Sequence, residues 1–292
     1  MSIASITESL DLEMKIRDVE VLWVANDKYE WATVRAKKDF SNGEVIEVDP
    51  IVILSQKDSR IVRKTRLRET CYKFEDKLVI PGGYGPIYGE DNNASFYEIK
   101  DNNASYTVVP EARALVITAD RKILEGEFIY VNGRWDHVNF GDFSSKQELK
   151  SIEKSPWKAE GLVVRPSHKG GLGTFTERRF NEGDLVEVCH LNWFSERESK
   201  ILSKTKVERY MYALGSRNQL SGWAVGYPCF YNHSEEPNIF PWGQLESITE
   251  ACGEHLAVMA LKDLEPGTEL VFDYLEKMPE KRKRKLLGFK PK

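Results

Sequence analysis

The pattern of apolar and polar residues in this chain repeats itself about 140 residues later. Residues 40–48 read Phe-Ser-Asn-Gly-Glu-Val-Ile-Glu-Val, and residues 180–188 match them in residue type at almost every position. In both segments a polar, glycine-containing turn leads into a run rich in valine, such as residues 185–188, which is typical of a β-strand. The repeat therefore predicts an equivalent strand in each half of the chain.

Two helix starts repeat at the same separation. Ser55 with Asp58, and Ser195 with Glu198, each form an S-x-x-acid pattern ahead of a charge-rich run. The serine oxygen can accept hydrogen bonds from free amides of the first turn, and the acid lies near the positive end of the helix. Each pattern therefore predicts a helix N-terminus.

Further paired segments indicate a tandem duplication. The pairs are residues 83–84 with 226–227, Tyr88 with Tyr231, and residues 119–127 with 260–269, at separations of 143 and 141 residues. We interpret the chain as two related modules, residues 1–143 and 161–292, joined by a polar linker over residues 144–160. The alternative is that the first half is an unrelated β-rich domain whose matches are coincidental.

The composition is typical of a folded protein of this size. The chain has 292 residues and a hydrophobic content of 41%, which supplies enough apolar surface for real cores. It contains no apolar run of about 18 residues, and its first residues lack the basic start and apolar stretch of a signal peptide. We therefore expect a soluble, intracellular protein that does not enter a membrane.

Cysteine spacing and net charge argue against two classes of site. The four cysteines are Cys71, Cys189, Cys229 and Cys252. They are isolated, with no C-x-x-C pair and no histidine at zinc spacing, so we expect buried apolar side chains and no metal. A net charge of -4 makes direct nucleic-acid binding unexpected, although residues 281–285 form a basic run.

Three short motifs follow one another in the second half. Residues 169–175 read KGGLGTF, residues 232–238 read NHSEEPN, and residues 267–274 read GTELVFDY. Together they resemble the signature blocks of the SET-domain protein lysine methyltransferases. This resemblance implies a mainly β fold with some α-helix, β-clip-like, with short curved sheets and a knot-like crossing, and it makes the two tandem modules SET-like.

The resemblance also implies an activity, that of a protein-lysine N-methyltransferase dependent on S-adenosyl-L-methionine. It assigns cofactor binding to Gly171, Leu172, Gly173, Asn232 and His233. Tyr274 matches the family's catalytic tyrosine, whose hydroxyl orients the lysine amine. The expected partner is a protein with an accessible lysine, such as a histone tail or another basic protein. Small-molecule and nucleic-acid methyltransferases usually show regular strand and helix alternation, which is not seen here.

Three aromatic residues are candidates for the substrate channel: Phe272, Tyr212 and Phe230. Phe272 stands where the family has Phe or Tyr, and without a hydroxyl there a methylated amine has room to turn, which predicts di- or trimethylation. Many family members carry E-Y-x-G after the strand, and the tyrosine position is Cys189 here. We expect Tyr212 and Phe230 to replace the missing ring, although each could be an ordinary core residue.

The first module lacks the residues that the resemblance assigns to the cofactor. In place of the two glycines and the catalytic tyrosine it carries Trp31, Thr33 and Asn132, and residues 89–91 replace Asn-His-Ser. We therefore expect it to bind no cofactor and to act as a scaffold or substrate-docking surface. The alternative function for the chain is a non-catalytic SET-like module that binds a peptide or protein. The second module retains the tyrosine, the asparagine and both glycines together, which favours the enzyme.

The C-terminal segment, residues 275–292, leaves two alternatives open. Leu286, Leu287 and Phe289 could close it over the site, and its composition equally allows a disordered basic tail.

Overall fold

The computed structural model describes most of both halves of the chain. The described residues are 14, 18–25, 30–87, 102–131, 151–154, 159–214, 220–243 and 255–274. Within them the protein is mainly β with a few short helices, as predicted. None of the helices in these ranges has the length and apolar character needed to cross a membrane.

The first half contains β1 (Val19–Ala25), β2 (Glu30–Ala36), β3 (Val45–Ile53), β4 (Tyr72–Phe74), β5 (Lys77–Pro81), β6 (Ala104–Val109) and β7 (Ala114–Ala119). Between the halves lies β8 (Ser151–Lys154). The second half contains β9 (Leu162–Pro166), β10 (Leu172–Thr176), β11 (Leu185–Phe194), β12 (Tyr212–Leu214), β13 (Leu220–Val225), β14 (Asn232–His233), β15 (Ile239–Gly243), β16 (His255–Ala260) and β17 (Val271–Phe272). The helices are α1 (Gln56–Val62), α2 (Glu196–Leu202) and the 3-10 helices Arg66–Thr70, Gly85–Ile87, Lys206–Tyr210 and Pro228–Phe230.

Both halves build a five-stranded antiparallel sheet with the same strand order. The order is β4-β5-β3-β7-β6 in the first half and β12-β13-β11-β16-β15 in the second. The central strands β3 and β11 carry the same irregularity, a shift of register between Val45 and Glu47 and between Leu185 and Glu187. Such bulges bend a strand and are not expected to coincide by chance. The two sheets therefore share strand order and irregularity, while the duplication and the division of the chain at residues 143 and 160 stay predictions.

The two predicted helix starts are confirmed, with one difference between them. The Ser55 hydroxyl accepts from Asp58 N at 3.0 Å, and the Ser195 hydroxyl accepts from Glu198 N at 3.3 Å. Only Glu198 reaches back, its carboxylate accepting from Ser195 N at 3.1 Å. The reciprocal bond of a capping box is thus described only at α2, where the longer glutamate side chain can span the turn.

A buried asparagine in each half joins two distant segments. Asn238 Nδ2 donates to Glu269 O at 2.7 Å, and Asn238 Oδ1 accepts from Val271 N at 2.8 Å. In the first half Asn103 makes the same pair of bonds, to Phe128 O and from Tyr130 N, at 2.8 Å each. In the second half this brings β14 and β17 together as a parallel pair. The last two sequence motifs therefore meet in space.

The predicted linker contains a strand. Within residues 144–160, β8 pairs antiparallel with β1 and completes the three-stranded sheet β2-β1-β8. Of the cysteines, Cys71, Cys189 and Cys229 are buried, as predicted. Outside the described residues lie Tyr88, Cys252, Asn132, residues 89–91, the basic run 281–285 and the whole segment 275–292.

The two halves share one hydrophobic core. Phe230 of the second half packs directly on Gly82 of the first, since a Cβ at Gly82 would lie 2.0 Å from Phe230 Cε2. Nearby, Arg66 N donates to Glu198 Oε1 at 2.8 Å. Only a residue without a side chain at position 82 permits this approach, so the first half lies directly against an aromatic residue predicted for the substrate channel.

Candidate active site

A glycine turn between β9 and β10 forms one wall of the site. Gly170 and Gly171 have φ of +103° and +70°, in the left-handed region that favours glycine. Ser167 closes the turn, donating from its N to Gly171 O and accepting at its O from Gly170 N, both at 3.0 Å. A Cβ at Gly170 would meet nothing within 4 Å, and one at Gly171 would meet only Arg113 Nη1 at 3.8 Å. The glycines therefore leave the backbone of this turn open to the pocket.

Asn232 ties the glycine turn to the C-terminal motif. Its Nδ2 donates to Leu172 O at 3.1 Å and to Glu269 Oε1 at 2.7 Å. Ser167 Oγ donates to the same Glu269 oxygen at 2.6 Å. A Cβ at Gly173 would lie 2.5 Å from that oxygen, so the hydrogen-bonded cluster of Asn232, Ser167 and Glu269 requires glycine there. Sequence reasoning assigned no role to Ser167 or Glu269, although Glu269 is the glutamate of the last motif.

His233 holds the end of the C-terminal motif. Its Nδ1 accepts from Tyr274 N at 3.3 Å and lies 3.7 Å from Asp273 Oδ1. Its ring centroid is 5.4 Å from that of Tyr274. In the part of the chain that the structure describes, no cluster of three or more His, Cys, Asp or Glu side chains is placed to hold a metal ion. His233 therefore acts in this structure as a positioning group for the segment that carries Tyr274.

The hydroxyl of Tyr274 points back into the protein. It donates a hydrogen bond to the main-chain carbonyl oxygen of Tyr231. Burial raises the pKa of Tyr274 above its usual range, and nearby Cys229, Tyr210 and Glu269 raise it further. The phenol therefore stays protonated at neutral pH, so it can orient a group by hydrogen bonding but cannot serve as a strong base.

Aromatic rings line up beside Tyr274. The Phe272 ring lies 4.5 Å from that of Tyr274 and stacks on Tyr212 at 5.8 Å with an interplanar angle of 13°. Tyr212 is fixed in turn, because its hydroxyl donates to Pro228 O at 2.6 Å. Phe230 is buried and lies 6.4 Å from Tyr210. The predicted channel residues thus lie on one side of Tyr274. Tyr210 lies beside them and was not predicted from the sequence.

A pocket of about 130 Å³, open to solvent, connects the glycine turn with Tyr274. It is lined by Ile51, Arg113, Gly170, Gly171, Leu172, Arg209, Tyr210, Cys229, Phe230, Tyr231, Asn232 and Tyr274. Five predicted site residues are among these. Four others do not line the pocket but position its lining residues through the contacts described above. They are Gly173, His233, Phe272 and Tyr212. Ile51 and Arg113 come from the first half, and no local sequence signal marked them.

A buried carboxyl group supports Tyr231 from behind. Glu187 is 0% exposed and accepts from Tyr227 N at 2.8 Å and from the Tyr231 hydroxyl. Burial raises the pKa of Glu187 to about 7, although both hydrogen bonds lower it. In the first half, burial and the neighbouring Glu47 raise the pKa of Asp49 well above its usual range. The protein therefore buries carboxyl groups that resist ionisation close to the interface between its halves.

Glu187→Gln is expected to remove a pH-dependent loss of stability. The folded pKa of about 7 lies above the ordinary 4.5, so between these values the native state keeps a proton that the unfolded state has released. The wild-type free energy of unfolding therefore falls as pH rises through this window, by about 3 kcal/mol for this group. Urea unfolding measures the free energy of unfolding of both proteins. The value for the variant minus the value for wild type should be larger at about pH 8 than at about pH 4.

The matched control for this comparison is Glu182→Gln, because Glu182 is exposed. Its difference from wild type serves as the baseline at each pH. A Glu187→Gln difference that stays level across the window after this baseline is subtracted would contradict the burial argument.

A protein-family model matches the region of the three sequence motifs. Residues 171–275 match the SET domain family model. No curated protein matches the chain. Among solved structures, a proposed histone methyltransferase of Plasmodium falciparum is 21% identical, over 40% of this chain and 96% of its own, with a TM-score of 0.34. A chain of the Polycomb Repressive Complex 2 of Chaetomium thermophilum, bound to GSK126, is 22% identical, over 45% of this chain and 18% of its own, with a TM-score of 0.35. The segment that matches the SET domain family model, residues 171–275, includes most of the residues that line the pocket.

Proposed function

We propose that this protein is a protein-lysine N-methyltransferase that uses S-adenosyl-L-methionine and acts on a histone tail or another basic protein segment. One observation carries the proposal. A single pocket brings together the glycine turn, Asn232 and Tyr274, and aromatic rings stand beside it. These residues are far apart in the sequence, and they line the same open pocket.

The residues of the turn fit the methyl donor. The left-handed glycines leave main-chain groups facing a space that side chains would fill. By the family resemblance, Gly171 and Leu172 would line the amino-acid end of the donor, and Asn232 would contact its adenosine and amino-acid ends. Gly173 and His233, which do not line the pocket, would hold these groups in place. When bound, S-adenosyl-L-methionine supplies an electrophilic methyl group on a positively charged sulfur.

The lysine must arrive as a neutral amine, and the site favours this without a strong base. A free lysine has a pKa of about 10.4, so little of it is neutral at neutral pH. Tyr210, Phe230 and the ring of Tyr274 offer poor hydration, which disfavours an ammonium ion. The Tyr274 phenol is protonated and fixed on the Tyr231 carbonyl, so its contribution is to orient the amine.

The degree of methylation follows from the shape of the aromatic wall. Phe272 stacks on Tyr212 and touches the ring of Tyr274, and it has no hydroxyl that could hold a water or the amine. A methylated amine therefore keeps room to rotate for another transfer. We infer that the product is a di- or trimethylated lysine.

The test is transfer of label from methyl-labelled S-adenosyl-L-methionine to core histones and to a lysine-rich protein mixture. The proposal expects labelled lysine with wild type and none with Asn232→Ala, since Asn232 joins the turn to Glu269. Donor binding by wild type without transfer to any protein would favour the alternative, a non-catalytic module that binds a peptide or protein.

A further inference from the structure

Arg113 belongs to the first half but reaches the pocket of the second. It lies in the turn between β6 and β7 with φ of +51°, a conformation that residues other than glycine adopt rarely. Two main-chain bonds hold it there, from Arg113 N to Pro110 O at 3.1 Å and from Ile51 N to Arg113 O at 2.8 Å. The point from which the side chain starts is therefore fixed by the sheet of the first half.

The guanidinium group lies against the glycine turn. Arg113 Nη1 is 3.8 Å from the position that a Cβ on Gly171 would take, and Arg113 lines the pocket together with Gly170 and Leu172. On the opposite side its charge acts on Tyr210, where it opposes the increase in pKa that burial causes. The side chain thus lines the pocket close to the turn and acts electrostatically on Tyr210.

The charged side chains that line the pocket are all positive. Its described lining holds two guanidinium groups, from Arg113 and Arg209, and no carboxylate side chain. Two cations on a concave surface favour an anionic ligand group, and the planar guanidinium matches the two oxygens of a carboxylate. The same charges would repel a positively charged sulfur, so an anionic group has to lie between them and that sulfur.

We propose that Arg113 binds the carboxylate of the amino-acid end of the methyl donor, so that the first half completes the donor pocket of the second. The assignment rests on the proposed function, because it uses the donor's orientation with its amino-acid end at Gly171. It gives the first half a direct part in donor binding, beyond the role of scaffold or docking surface that the sequence suggested.

The experiment is calorimetric titration with two ligands that differ only at the amino-acid end. S-adenosylhomocysteine carries the carboxylate, and 5′-methylthioadenosine lacks the whole amino-acid portion. For Arg113→Gln, we expect S-adenosylhomocysteine to bind about 10-fold more weakly and methylthioadenosine to bind as in wild type. Arg113→Lys should recover part of the loss, since it restores the charge but not the planar fork.

The matched control is Arg68→Gln, which removes an exposed arginine of the same half that does not line the pocket. It should bind both ligands as wild type does. Unchanged S-adenosylhomocysteine binding by Arg113→Gln would overturn the assignment, and so would an equal loss of both ligands, which indicates a structural role. Failure of wild type to bind either ligand would instead overturn the proposed function.

Discussion

Tyr274→Phe is expected to slow methyl transfer by about 100- to 1,000-fold while leaving donor binding nearly unchanged. The hydroxyl donates to the Tyr231 carbonyl beside the aromatic wall. Under the proposed function it would orient the amine when the reacting atoms are aligned. The phenylalanine keeps the ring contacts with Phe272 and His233, so the pocket should keep its shape. Single-turnover transfer from labelled donor, combined with titration of S-adenosylhomocysteine, separates the two effects.

A matched tyrosine exists in the first half. The Tyr106 hydroxyl also donates to a main-chain carbonyl, that of Lys73, at 2.9 Å. Tyr106→Phe should transfer methyl groups at the wild-type rate. If Tyr274→Phe did the same, the catalytic assignment of Tyr274 would be wrong.

Gly173→Ala is expected to weaken donor binding by about 10- to 100-fold. The new Cβ would lie 2.5 Å from Glu269 Oε1 and 3.0 Å from both Asn232 Nδ2 and Ser167 Cβ. At least one of these groups has to move, and the bond from Asn232 to Leu172 O has to lengthen with it. Because that bond positions the glycine turn, the backbone that is proposed to contact the donor would be displaced. Titration with S-adenosylhomocysteine measures the loss directly.

Gly173→Ala could also weaken binding by lowering the stability of the whole fold. A second glycine variant controls for this effect. Gly183 has φ of +83°, and a Cβ added there would meet nothing within 4 Å, so Gly183→Ala adds only backbone strain, about 1 kcal/mol. It should lower the melting temperature without changing affinity. If Gly173→Ala bound S-adenosylhomocysteine with wild-type affinity, the hydrogen-bonded cluster of Asn232, Ser167 and Glu269 would not shape the pocket.

The main elements could be predicted because they rest on local patterns. The strand entering at residues 40–48, its copy at 180–188 and both helix starts are encoded by turn residues, valines and caps that lie next to each other in the chain. The equivalence of Asn103 and Asn238 was not predicted. More residues separate Ile87 from Asn103 than Phe230 from Asn238, so a constant separation of about 140 residues does not align the two asparagines.

The site was predictable where it follows the motifs and not where it depends on contacts between halves. Asn232 and Tyr274 meet because their motifs pair across β14 and β17, and the Asn232 side chain joins the glycine motif by donating to Leu172 O. Arg113 and Ile51 carry no local signal, since only the packing of one sheet against the other brings them to the pocket. Glu269 was visible in its motif, but its partners Ser167 and Asn232 are 102 and 37 residues away.

The central claim is that the second half binds a sulfonium methyl donor in the pocket between the glycine turn and Tyr274. Equilibrium dialysis of the whole chain with labelled S-adenosyl-L-methionine tests it most directly. We predict saturable binding at one site in wild type and its loss in Asn232→Ala. No saturable binding by wild type, or equal binding by Asn232→Ala, would contradict the account.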